Sequence, residues 1–400
     1  MKILFTAFIL LLIIFMYLWL DYSFGRKRHL ATLQKRHYPK RYSDISLFKQ
    51  GNDLFDDFFS EIRRAKKHIH ILFFIVKNDN ISKQFFKLLI EKASEGVEVR
   101  LLVDQIGGHK ISQKTIAELK KEGIEFSFCN KIVAPFYFYS SQVRNHRKIS
   151  VIDGKIGYMG GFNIGEEYIG MNPKLSPWRD YHLKINGEGV QDLQKEFLHD
   201  WKEATKMDLL QKEDYFPPLE KGPVLHQIVP TDGLFLDKVF ADHIKNAKES
   251  IVIGTPYFIP SSKLNQLLIE ALQKGIKVTL LIPDKPDHAL VKEASFRYLR
   301  QLLKEGAKVY QFVNGFYHAK VFMIDQESCD VGTANFDMRS IFLNYELNCF
   351  IYSQDFFNQV QQAVQEDIND ADLLNPNALD MVSFQIKVKE IIARPVSLFL

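Results

Sequence analysis

Apolar positions along the chain fall into two patterns. From Ile3 to Leu20 they are nearly continuous (ILFTAFILLLIIFMYLWL), with no charge, proline or glycine. As a helix, at 1.5 Å per residue, this stretch reaches about 27 Å, against a hydrocarbon core of roughly 30 Å. Tyr17 and Trp19 lie near one end, where aromatic rings favour the membrane interface. Cleaved leaders carry shorter apolar regions and a small-residue cleavage site. No such site follows Leu20, so residues 3–20 are expected to form an uncleaved membrane anchor.

After residue 50 the apolar positions return in shorter runs. IHILFFIV and IVIGTPYFI are continuous enough for buried strands. Between them ISKQFFKLLIEKA places Ile81, Phe85, Leu88 and Leu89 on one helical face. Gly96 closes that helix before the strand-like VEVRLLV. Strands alternating with helices predict a layered α/β sheet.

The pattern also repeats. AKKHIHILFFI from Ala65 resembles AKESIVIGTPYFI from Ala247, and LLIEKASEGVEVRLLVD from Leu88 resembles LLIEALQKGIKVTLLIPD from Leu267. KKEGIEF from Lys120 pairs with LKEGAKV from Leu303. Offsets near 180 residues mean duplicated lobes of domain size, where a solenoid would repeat at a much shorter period. The expected organisation is an anchor at 3–20, a basic juxtamembrane segment at 21–45, a first lobe at 46–205, a charged, proline-containing linker at 206–222, and a second lobe at 223–400.

Charge adds an orientation. Arg26, Lys27, Arg28, Lys35, Arg36, Lys40 and Arg41 follow the apolar stretch, while Lys2 and the amino terminus precede it. By the positive-inside rule the two lobes lie in the cytoplasm, and the basic run could rest on anionic headgroups. The whole chain carries a net charge of only +4, too little to argue for a nucleic-acid partner. The 46% hydrophobic and 25% charged residues exclude wholesale disorder. The three cysteines, Cys129, Cys329 and Cys349, form neither a disulfide framework nor a metal-ligand spacing.

One element is written twice at identical spacing. NHRKISVIDGKIGYMGGFN begins at Asn145, and YHAKVFMIDQESCDVGTANFD begins at Tyr317. With the histidines in register, 172 residues apart, His146 matches His318, Lys148 matches Lys320 and Asp153 matches Asp325. Gly160 then matches Gly332, and Asn163 matches Asn335. A single copy would be weak, since any half-buried strand and turn can produce it. Two gap-free copies, one per lobe, are a strong signal. Each His and Lys, two apart, project from the same face of a strand. If the lobes face each other, two imidazoles and two ammonium groups converge.

These motifs resemble the signature of the phospholipase D superfamily. NHRKISVIDGKIGYMGGFNIGEEY, WRDYHLKINGEGVQDLQKEFLHDW and HAKVFMIDQESCDVGTANFDMRSIFLNYELN are similar to bacterial cardiolipin synthases, from about residue 50 to the apolar SLFL at the C-terminus. Many members of that group carry two N-terminal spans and this chain has one, so it looks like a shorter paralogue. The resemblance implies an α/β fold of two pseudo-repeated phospholipase D-like lobes, each a mixed β-sheet flanked by helices.

The convergent residues suit a phosphodiester. Lys148, Lys320, Asn163 and Asn335 supply donors for phosphate oxygens. A neutral imidazole is a nucleophile toward phosphorus, and a second one, protonated, serves the leaving alkoxide. The resemblance assigns His146 as nucleophile and His318 as acid/base; the near-equivalence of the motifs leaves the reverse assignment open. It also places Asp180, in WRDYH, and Glu346, in NYELN, as carboxylate partners. Asp153 and Asp325 belong to the same catalytic motif, but each precedes a turn, and a structural role without direct proton transfer is expected. Two His with two Lys make a poor ligand set for a cation, so neither metal nor other cofactor is expected.

The implied activity is that of a phosphatidyltransferase at a bacterial cell membrane, acting on phosphatidylglycerol among anionic membrane lipids. Transfer to a second phosphatidylglycerol would give cardiolipin and glycerol; transfer to water would give phosphatidic acid. The residues alone do not separate these outcomes. A nuclease of the same superfamily is disfavoured by the anchor and the small net charge, and an idle scaffold by the intact motifs. Oligomeric state is not read from the sequence, because two lobes already complete one site. Ahead of the first motif, IVAPFYFYS from Ile132 reads either as an interfacial segment or as a buried strand.

Overall fold

The computed structural model describes residues 2–33 and 35–399. Gln34, in the basic segment, and Leu400, at the end of the apolar tail, lie outside them.

The first lobe contributes seven strands to one large sheet: β1 (Arg41–Phe48), β2 (His68–Phe73), β3 (Glu98–Asp104), β4 (Glu125–Cys129), β5 (Ile149–Ile152), β6 (Ile156–Gly160) and β7 (His182–Gly187). The second lobe repeats them as β8 (Val224–Asp232), β9 (Ser250–Gly254), β10 (Lys277–Pro283), β11 (Lys308–Phe312), β12 (Val321–Ile324), β13 (Ser328–Gly332) and β14 (Tyr345–Ile351), and adds an edge strand, β15 (Ala371–Leu373). The order is β4-β3-β2-β5-β6-β7-β1-β8-β14-β13-β12-β9-β10-β11-β15. β2, β3 and β4 run parallel, as do β9, β10 and β11, and the rest of each lobe is antiparallel.

The expected mixed sheet is therefore present in each lobe, and the two are joined edge to edge. β1 and β8 pair antiparallel, with Arg41 opposite His226 and Ser43 opposite Val224. The parallel strands are covered on both faces, which is why every residue of β2 is buried, His68 and His70 included. On one face a single apolar core runs through both lobes beneath the helices Gly189–Thr205 and Gln354–Asn369, taking in Phe197 and Trp201 from the first and Phe356 and Val360 from the second. On the other face each lobe keeps its own core.

The N-terminal helix runs from Lys2 to Thr32 without a break, well past the apolar stretch. Among the described residues it is the one helix long and apolar enough to cross a membrane. Its apolar side chains from Leu4 to Tyr17 are exposed, and beyond them it docks. Asp21 accepts a hydrogen bond from the Tyr139 amide at 2.7 Å, and Arg26 donates to the Phe342 carbonyl at 3.0 Å. Gly25 is required there, since a Cβ would lie 2.7 Å from Tyr139. The IVAPFYFYS segment begins as an exposed loop, residues 132–135, and ends inside the short helix Tyr137–Gln142, which packs on this docked end through the buried Tyr139. The buried-strand reading of it does not hold, because Ile132, Val133 and Tyr137 face outward.

Candidate active site

The two motifs enter their strands in the same way, each clamped by the other lobe. Asn145, His146, Arg147 and Lys148 lead directly into β5. Asn145 forms a parallel bridge with Tyr345, and the His146 amide donates to the Tyr345 carbonyl at 2.9 Å. In the second motif Phe316–Tyr317 pair in parallel with Trp178–Arg179 of the first lobe, and the His318 amide donates to the Arg179 carbonyl at 2.7 Å.

These clamps cross the carboxylates between lobes. His146 Nδ1 meets Glu346 Oε2 at 2.9 Å, and His318 Nδ1 meets Asp180 Oδ2 at 2.6 Å. Each ring also packs on an aromatic side chain of the first lobe, His146 on Phe74 and His318 on Trp178, with centroids 5.1 and 4.8 Å apart. With Nδ1 occupied, Nε2 is the nitrogen that each imidazole turns toward a substrate; that of His318 also lies 3.3 Å from Lys320 Nζ. Both rings line one cavity of about 540 Å³, together with Asn163 and Asn335. The two imidazoles therefore converge on one cavity, whereas neither motif lysine lines it.

Lys148 and Lys320 lie buried behind the histidines. Lys148 donates to the His146 carbonyl at 2.7 Å; Lys320 contacts the His318 ring and reaches Asp180 at 3.4 Å. Asn163 accepts the Ile75 amide on its Oδ1 at 2.9 Å, which turns its amide nitrogen toward the cavity, beside Tyr168. Asn335 uses one N–H on Asp337 at 3.0 Å and keeps the other.

Burial governs the charges. It lowers His146 and His318 each to about 4, outweighing the adjacent carboxylates. Burial, with the Lys320 ammonium nearby, brings Lys148 down to about 7 and lowers Lys320 as well. Burial pushes the Asp180 carboxyl up, but Lys320 and His318 more than offset it. Glu346 ends below its ordinary value in the same way, held by His146, Lys148 and Thr333. Without substrate each pair therefore rests as carboxylate and neutral imidazole.

Asp153 and Asp325 do not join this cavity. Each sits at the far end of its strand with φ near +53° and +52°, roughly 16 Å along from the lysine at about 3.3 Å per residue. Asp153 accepts the amides of Lys66, Lys67 and His68 at 2.8, 2.7 and 3.0 Å. Asp325 takes those of Lys248, Glu249 and Ser250 at 3.0, 2.7 and 2.9 Å. They tie the hairpins β5–β6 and β12–β13 to the entries of β2 and β9, so grouping them with the catalytic residues is corrected by their position.

Several residues of the site were not read from the sequence. Thr333 and Ser340 donate hydroxyl hydrogen bonds to Glu346 at 2.5 and 2.8 Å. Arg147, between the two motif residues, is fully buried; it pairs with Asp200 at 2.7 Å and with Asp232, and donates to the Glu346 carbonyl at 3.1 Å. Its signal was its place inside the motif, which singled out only the flanking His and Lys.

Two paired His–x–Lys elements on a duplicated mixed sheet, sharing one cavity, define a phospholipase D-like enzyme with a two-motif site. A family model described as cardiolipin synthase, phospholipase D-like domain, matches residues 58–201 and 240–368. The chain belongs to the cardiolipin synthase family of phosphatidyltransferases. It is 40% identical to the minor cardiolipin synthase ClsB of Bacillus subtilis over 400 residues, covering 100% of both chains. The cardiolipin synthase of Oceanobacillus iheyensis is 38% identical over 359 residues, 88% of this chain and 74% of its own. The fold is also that of the phosphatidylserine synthase of Haemophilus influenzae, with a TM-score of 0.72 over 94% of this chain and 99% of that one, at 16% identity.

Proposed function

We propose that this enzyme transfers a phosphatidyl group from one phosphatidylglycerol to another, forming cardiolipin and releasing glycerol through a phosphohistidine. The observation that carries it is the pair of neutral imidazoles, each oriented by a carboxylate across the seam and facing one cavity.

His146 Nε2 attacks the donor phosphorus while the bond to the headgroup glycerol breaks. His318, protonated as the anionic phosphodiester raises its basicity, gives that proton to the departing alkoxide. The glycerol hydroxyl of a second phosphatidylglycerol then returns a proton to His318 and attacks the phosphohistidine, which frees His146. Lys148, Lys320 and the side-chain N–H bonds of Asn163 and Asn335 meet the non-bridging oxygens as charge builds. Glu346 and Asp180 hold the two rings and stabilise them when charged, in the manner of a carboxylate behind a catalytic histidine. The basic run after the apolar helix supports a cytoplasmic position for the lobes.

The direct test mixes detergent-purified protein with headgroup-labelled phosphatidylglycerol vesicles in EDTA. Cardiolipin and glycerol in equal amounts are expected. Phosphatidic acid in place of cardiolipin would make the enzyme a hydrolase with the same covalent step. Absence of both products from folded protein would refute phosphatidylglycerol as donor.

A further inference from the structure

A second cavity, also about 540 Å³, takes no part in the proposed chemistry. It is separated from the catalytic one by a single extended segment. Arg144 and His146 line the catalytic cavity, while Asn145 between them lines the second, as alternation along an extended chain requires. The docked end of the N-terminal helix forms its opposite side through Gly25, Arg28 and His29.

The lining is rich in cations. Arg28 comes from the helix, Lys131 from the exposed loop and Lys206 from the end of the helix Gly189–Thr205. Arg28 and Lys131 are exposed and, among the described residues, make no ion pair. Two carboxylates also line the space, and both are engaged: Asp200 holds Arg147 at 2.7 Å, and Glu203 accepts from the Tyr345 hydroxyl at 3.2 Å. Asn145 is fully buried, and its side-chain nitrogen has no hydrogen-bond partner among the described residues. A buried donor left in that state calls for an acceptor from outside the protein. Val133 lines the cavity, and Ile132 and Tyr137 beside it are exposed, next to the helix that fits a membrane anchor.

Cations at the rim, an unspent buried donor and an apolar surround match a phosphate with acyl chains attached. We propose that this cavity binds the headgroup of an anionic phospholipid, separately from the catalytic cavity. Arg28 and Lys131 meet the phosphate charge, and Asn145 offers its N–H to headgroup oxygens. The inference rests on the membrane-anchor reading and needs no turnover, so it stands or falls apart from the proposed transfer reaction.

The test uses the full chain carrying His146→Ala and His318→Ala, reconstituted in phosphatidylcholine vesicles. The probe is a phosphatidylglycerol with a diazirine on its headgroup, and adducts are mapped by peptide mass spectrometry. Adducts are expected on the peptides holding Arg28 and Lys131. Arg28→Glu with Lys131→Glu should reduce them about tenfold or more, while adducts near Trp178 and Asn335 persist. Should that variant melt earlier than its parent, Lys131→Glu alone carries the test from the exposed loop. Labelling that survives charge reversal, or that is equal with a phosphatidylcholine-based diazirine, overturns the site. Protection by inorganic phosphate as effective as by unlabelled phosphatidylglycerol would assign it to free phosphate and overturn the lipid.

Discussion

His146 leans on Glu346, whose oxygens also accept the hydroxyls of Thr333 and Ser340. His318 leans on Asp180, which also faces the Lys320 ammonium. Lys148 acts on Glu346 only at a distance, whereas Lys320 reaches Asp180 at 3.4 Å. The difference traces to two register positions: Thr333 and Ser340 in the second lobe stand where the first has Gly161 and Tyr168. A Cβ on Gly161 would lie 1.9 Å from Asp180 Oδ1, so no hydroxyl fits there. The longer Glu346 sits beside a threonine, and the shorter Asp180 sits against bare backbone. Identical motifs therefore do not guarantee identical surroundings, and the two lobes provide an internal control for each other.

The sharpest way to probe the comparison is to remove each imidazole in turn. His146→Ala and His318→Ala should both reduce turnover by about 10⁴-fold or more. A phosphatidyl adduct should be recoverable only from the variant that keeps the nucleophile, on His146. An adduct on His318 in the His146→Ala protein would exchange the two roles.

Next come the carboxylates. Asp180→Asn leaves the buried Lys320 without its partner and should cost about 3–5 kcal/mol of stability. Glu346→Gln leaves no cation hydrogen-bonded to it unpaired, only the hydroxyls of Thr333 and Ser340 and the Asn344 amide beside the neutral imidazole, and should cost about 1–3 kcal/mol. Equal losses in thermal melts would erase the distinction drawn between the lobes. Both variants should lose turnover by about 10²–10⁴-fold, since each imidazole loses its orienting anion.

The aspartates at the hairpins should behave alike instead. Asp153→Asn and Asp325→Asn each weaken backbone anchoring by about 1–2 kcal/mol, and protein that remains folded should keep its activity. The amides of Ser250, Glu249 and Lys248 hold Asp325 below its ordinary value against the upward push of burial. Its contribution is therefore present above the unfolded carboxylate range and is lost as pH falls through the lowered value. Folded but inactive Asp153→Asn protein would restore a chemical role to that residue.

The smallest effect expected is in the pH profile. Before substrate binds, both histidines sit at about 4 and Lys148 at about 7. kcat/KM, which reports the free enzyme, should fall below pH about 4 as the nucleophile becomes protonated, and above about 7 as Lys148 loses its charge. Thr333→Ala removes a donor from the Glu346 carboxylate alone, so it should move only the part of the acid limb that belongs to His146.

Much of this architecture was legible because duplication writes it twice. The gap-free register of His146 with His318 and of Asn163 with Asn335 gave the shared cavity, and strand alternation gave the common face for each His and Lys. The edge-to-edge joining of β1 and β8 was not legible, since residues as far apart as Ser43 and Val224 pair there without a local signal. The crossing of Asp180 and Glu346 between lobes follows from that joining and was hidden with it. Arg147 was passed over because a charged residue in a strand ordinarily faces water, and here three carboxylates enclose it, Glu196 and Asp200 from one helix and Asp232 from β8.

The exchanged carboxylates have a consequence for how such a chain can change over time. In an ordinary duplication the spare copy is released from constraint and decays. Here each copy houses the counter-ion of its sibling's histidine, so a lesion in one half silences the chemistry of the other. Neither half can drift into a private function while the seam persists. Fragments made by cutting within residues 206–222 should be inert singly and regain activity only when they reassociate.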